Sequence, residues 1–139
     1  MGGATVGVRY GSITDRLDLD AVAQEIFDLL VARIPAYARL PEPIRQEVAA
    51  ITRRIVGLSI VGFATGRLPD GDDMEMVWRS ARDRHAEGLP LEDLLRAYRL
   101  GSELLWQRIL EAVGPGEEEV VGPFSTYYVT LVGRLTAGC

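Results

Sequence analysis

The sequence predicts an all-α fold, a single domain of about five helices. Two observations carry this. Apolar residues recur at spacings of three and four along four long stretches, the period of a helix with one buried face. Turn signals then cut those stretches apart: Pro35, Leu68-Pro-Asp-Gly71, Gly88 with Pro90, and Gly114-Pro-Gly116. Only Tyr127-Tyr-Val-Thr130 favours strand, and an isolated strand would have no partner.

Residues 1–17 are rich in Gly, Ser and Thr, with no apolar period, and are expected to form a flexible N-terminal tail. The helical domain spans residues 18–139. Its first helix starts near Asp18 or Asp20, either of which can cap it, and buries Val22, Ile26, Leu29, Leu30 and Ile34. Pro35 ends it, because the residue before a proline is pushed out of the helical region. A second helix begins around Pro43 and runs to about Thr65. Past Ile55 it is apolar almost all round, so it is expected to be buried on most sides. Gly57, Gly62 and Gly66 weaken it as a helix, and close helix packing is the expected reason.

A third helix runs from Asp72 to about Glu87, with Met74, Val77, Trp78, Ala81 and His85 on one face. Gly88 stops it and Pro90 prevents continuation. The fourth runs from Pro90 to about Val113. Leu94, Tyr98, Gly101, Leu105, Ile109 and Ala112 form its stripe, and Leu91, Leu95, Trp106, Leu110 and Val113 widen it. A fifth segment opens at Glu117, is expected to break or kink at Gly122-Pro123, and continues as helix from Phe124 to Leu135.

A chain of 139 residues fits one domain and can bury a core without staples. Its net charge of −5 argues against nucleic-acid binding by this segment and against docking on anionic lipid. Cys139 is the only cysteine, so no internal disulfide forms and a reducing compartment is expected. The N-terminus lacks an apolar core of signal-peptide length. The most apolar run, Ile55 to Ala64, is about half of what a membrane span requires. These readings point to a cytoplasmic protein. Apart from the lone histidine, the basic residues are 15 arginines.

Candidate chemistry is sparse. One histidine rules out a multi-histidine metal site. Asp70, Asp72 and Asp73 lack the ligand spacing of a calcium loop and read as helix caps. His85 suggests haem ligation, against the plainer reading of a cation suited to a helix C-terminus. Arg79, Arg82, Arg84, Arg96 and Arg99 suggest anion recognition, against ordinary pairing with neighbouring carboxylates. Trp78, His85, Tyr98 and Trp106 are the candidate ligand-binding set, able to line an apolar pocket, against the alternative of plain core. Gly88 and Pro90 form a candidate hinge. No pair of carboxylates is placed for acid–base work, so no enzyme is expected.

The block Ala81 to Gly101, ARDRHAEGLPLEDLLRAYRLG, followed by Trp106, resembles the signature of the RsbRD N-terminal domain family. The Leu89–Gly101 portion is the specific part, and Ile34-Pro-Ala-Tyr37 is similar to the end of the family's first helix. The resemblance extends over residues 20–137. It implies a globin-like or helical-bundle sensor module, non-enzymatic, commonly dimeric and without haem. It also implies a downstream partner-binding domain, or the PucR-type helix-turn-helix domain of actinobacterial regulators. The family position of His85 is expected to hold a small residue, so a role for His85 would be particular to this chain. With no effector domain before Cys139, the chain reads as a fragment of a longer regulator or a free-standing sensor. The expected function is a homodimeric input module of a transcriptional or stress-response regulator. The alternative is a stand-alone small-molecule binder, with haem on His85 as one version.

Overall fold

The computed structural model describes residues 10–137, and every regular element among them is helical. The long helices are α1 (Leu19–Arg33), α3 (Glu42–Thr65), α4 (Gly71–Ala86), α5 (Leu91–Ala112) and α6 (Val121–Ala137). A short α2 (Pro35–Ala38) follows α1, and a 3-10 turn (Glu118–Val120) leads into α6.

Local chemistry sets the ends. The Asp18 side chain accepts from the Ala21 N–H at 3.1 Å and caps α1, and Asp70 does the same for α4 from Asp73 at 2.8 Å. Ile34 is extended before Pro35, as the proline requires. Helix α3 closes on Gly66 in the left-handed region at φ 75°, its N–H 2.7 Å from the Gly62 carbonyl. Between α4 and α5, Gly88 at φ 101° makes the bond pair of a Schellman cap. Its N–H reaches the His85 carbonyl at 3.0 Å, and the Leu89 N–H reaches Arg84 at 3.0 Å. Leu89 is buried, so the corner is pinned by packing as well.

The core is layered around α1, which lies along both α3 and α5 and buries Val22, Ala23, Ile26 and Leu30. Glycines permit the close approaches: Gly57 faces Leu19 and Gly101 faces Ile26. Helix α6 closes the other side of α5 through Phe124, Tyr127, Leu131 and Leu135. Helix α4 touches α3, α5 and α6 only sparsely. By length and a mean hydropathy of 1.5, α3 could cross a membrane, more than the half-span read from Ile55–Ala64. Here it is a helix of the bundle, with Val48, Val56 and Phe63 inward and Arg53 and Arg54 paired to Asp20 and Asp73.

Two expectations need correction. Residues 10–14 are helical rather than a tail, with Ile13 and Thr14 buried and the Tyr10 ring 4.8 Å from Phe124. One turn is too short to show a period, which is why the sequence hid it. Arg16 then ties this segment to the α5–α6 connection, donating to the Ala112 carbonyl and pairing with both oxygens of Glu117. Residues 1–9 of the expected tail lie outside the described residues. The break expected at Gly122-Pro123 is also absent. Pro123 falls in the first turn of α6, where a missing N–H has no helical acceptor to lose. Tyr127 to Thr130 are helical despite their strand propensity.

Candidate functional site

Where α1, α3, α4, α5 and α6 meet, a cavity of about 80 Å³ remains. Its walls are mostly apolar, including Leu30, Val48, Val56, Leu94, Ala97 and Leu105. The hydroxyls of Thr52 and Ser59 are spent on their own helix, donating at 2.7 Å to the Val48 and Ile55 carbonyls. Ser80, Tyr98, Ser102 and Tyr128 add polar atoms, and burial followed by the nearby Glu103 charge raises the Tyr128 phenol above its ordinary pKa.

Among the described residues one charged side chain lines this space, Arg84. It continues the buried stripe of α4, Met74–Val77–Ala81–Arg84, and its side chain is only 8% exposed. Nη1 lies 2.9 Å from Glu47 on α3, and Nη2 donates to Glu87 at 3.1 Å. Nε is 2.9 Å from Glu87 Oε2, but that oxygen lies off the N–H direction, so it adds charge attraction without a hydrogen bond. The guanidinium thus clasps α3, α4 and the α4–α5 corner together. Both carboxylates stand largely in solvent.

A wider, shallower depression of about 410 Å³ lies between the end of α3 and α6, lined by Phe63, Leu68, Phe124 and Tyr127. Among the described residues no charged side chain lines it. The Tyr127 hydroxyl donates to the Arg67 carbonyl at 2.9 Å, and burial pushes its pKa up to about 12.

The four residues named from sequence do not converge. Tyr98 alone lines the cavity. Trp78 sits at the edge of the α4 stripe and donates from Nε1 to the Arg134 carbonyl at 3.2 Å. Trp106 belongs to an aromatic cluster, stacked on Tyr128 at 5.1 Å and near Phe63 at 6.3 Å. His85 is exposed, not on the apolar face, and its Nδ1 is 3.0 Å from the Leu89 carbonyl, so it serves the corner rather than a pocket. Haem ligation through His85 therefore finds no apolar chamber behind it. Gly88 and Pro90 do shape the corner, Pro90 as the N-cap of α5. In the sequence Arg84 is one of five arginines that suggest anion recognition or pairing with nearby carboxylates, and it does not stand out among them as buried. The spacing 74–77–81–84, with glutamate three residues on, was the available signal.

No curated protein and no solved structure matches the chain. A family model does, over residues 20–139, which takes in α1 through α6 and every wall of the cavity. The chain belongs to the RsbT co-antagonist protein rsbRD N-terminal domain family, and is thereby a regulatory, sensor-type domain of the partner-switching kind.

Proposed function

We propose that this domain is the non-catalytic, cytoplasmic input module of a transcriptional or stress-response regulator. It dimerises and hands a signal to an effector, either a partner-binding domain or a PucR-type helix-turn-helix domain. Family membership is the observation that carries the reading. Two features of the fold support it. Helix α4 is sparsely packed and held by a charged clasp, which suits an element with two positions. The other is the widening stripe of α5, expected to be buried: Leu91, Leu95 and Leu110 are 42%, 37% and 38% exposed. With half-buried Tyr98, Trp106 and Val113 beside them, they form an apolar row that suits a second copy of the chain.

Light scattering over a concentration series tests the dimer. The wild-type chain should run as a dimer, and Leu95→Glu should run as a monomer that keeps its helical circular dichroism. A strict monomer at high concentration, or a Leu95→Glu dimer as tight as wild type, would remove dimerisation through this face.

A further inference from the structure

The cavity has one cation, a small apolar volume and two displaceable counter-charges. We propose that it binds a small aliphatic monocarboxylate, with its tail in the apolar space and its carboxylate on the Arg84 guanidinium.

Volume sets the tail. A cavity of roughly 150 Å³ holds benzene. At about 80 Å³ the present one suits an unbranched or once-branched chain of about three to five carbons. Charge sets the head group. Arg84 is the one charged residue on the wall among the described residues, and its planar fork matches a carboxylate in a two-point contact. It lies in the last turn of α4, near the negative end of that helix and beside Glu47 and Glu87. A phosphate dianion would meet that negative field with a single arginine, so a monoanion is favoured.

The site is already an anion site in exchange. Glu47 is 62% exposed and Glu87 is 41% exposed, so either can leave Arg84 and regain water at small cost. The incoming carboxylate replaces one ion pair with another and fills unoccupied apolar volume. Nε, which lacks an aligned acceptor, gains one. Displacing Glu47 removes a tie between α3 and α4, so occupancy is coupled to the position of α4. By linkage, weakening the Glu47 tie must strengthen ligand binding.

This names the ligand class for the sensor reading above and takes its biological sense from it. The binding test itself is independent of that reading, since it succeeds or fails on the isolated chain whether or not Leu95→Glu alters the oligomer. The probes are acetate, 3-methylbutanoate, 3-methylbutanamide and inorganic phosphate, titrated by calorimetry at neutral pH. Each added buried carbon should tighten binding roughly fourfold, so 3-methylbutanoate should exceed acetate by more than tenfold. It should exceed its amide by roughly tenfold or more, since only the acid gains the charged contact. Glu47→Gln should tighten 3-methylbutanoate severalfold, and Arg84→Gln should erase the preference for acid over amide. Equal binding of acid and amide, stronger binding of phosphate, or no saturable binding at about 10 mM would overturn the proposal. If Arg84→Gln does not fold, Glu47→Gln still decides: unchanged or weaker binding contradicts the competition on which the site depends.

Discussion

Gly62 has no room for a side chain: a methyl group there would overlap the Tyr127 hydroxyl and crowd the Arg67 carbonyl. Alanine normally improves a helix by about 1 kcal/mol over glycine, but overpacking and the lost Tyr127–Arg67 bond outweigh that. Gly62→Ala should therefore lose about 2 kcal/mol in urea unfolding, whereas Gly133→Ala on α6, with open space around it, should gain about 0.5 to 1 kcal/mol. Tyr127 also sets an alkaline limit. Its folded pKa of about 12 lies above the unfolded value near 10, so the folded state keeps a proton that the unfolded state releases. Its contribution is fully present below pH about 10 and is lost as pH rises toward 12. Urea midpoints measured over that window should fall, and Tyr127→Phe should flatten part of the slope. At this scale the sequence was legible for glycines and caps. Gly57 and Gly62 do mark close approaches, and Asp18 and Asp70 do cap helices, but Gly66, expected to mark another, has open space around it and is the left-handed cap of α3 instead. It misled at Arg84 and His85. Both fall near the apolar stripe of α4, and hydropathy favours histidine. The arginine is buried instead, because Glu87 three residues on and Glu47 on α3 both reach it, and the Glu47 contact is a fact of tertiary structure.

Among the elements, α1, α3, α4, α5 and the corner between α4 and α5 follow from period and punctuation, whereas the helical reading of α6 rests on an isolated strand having no partner, and the break expected in it is absent. The segment at residues 10–14 follows from neither period nor punctuation. Its burial depends on Phe124, more than one hundred residues away, and on an arginine bridge to Glu117. Because Ile13 is fully buried, Ile13→Ala should cost about 3 kcal/mol in chemical denaturation, where a tail residue would cost nothing. The α4–α5 corner makes the opposite kind of demand, on backbone rather than on contact. At φ 101°, Gly88→Ala strains the chain although no atom blocks it, and a loss of about 1 kcal/mol is expected in the same measurement. The Schellman bonds and buried Leu89 make that corner a stiff joint. A movement of α4 is thus expected to pass through the corner into the first turn of α5 rather than to be absorbed there.

Across the whole molecule, packing is uneven in a way that suits its family. Helix α1 welds α3 and α5 into a firm half, with α6 closing on α5, while α4 lies across them with fewer contacts and a charged clasp. The cavity sits where α4 meets that half, and the half-exposed row of α5 begins just past the stiff corner. The proposed binding cavity and the proposed dimer face are therefore adjacent, joined by Leu89 and Pro90. Composition and period predicted a single helical domain, but the cavity arises only from how five helices fail to fill one space. The central claim is that filling this cavity moves α4 and the corner attached to it. Amide hydrogen exchange on the full chain, with and without saturating 3-methylbutanoate, tests that most directly. Protection should change in α4, at Leu89 and along the first turns of α5, with α1 unchanged. Saturated binding that leaves the exchange of α4 and the corner as it was would contradict that claim.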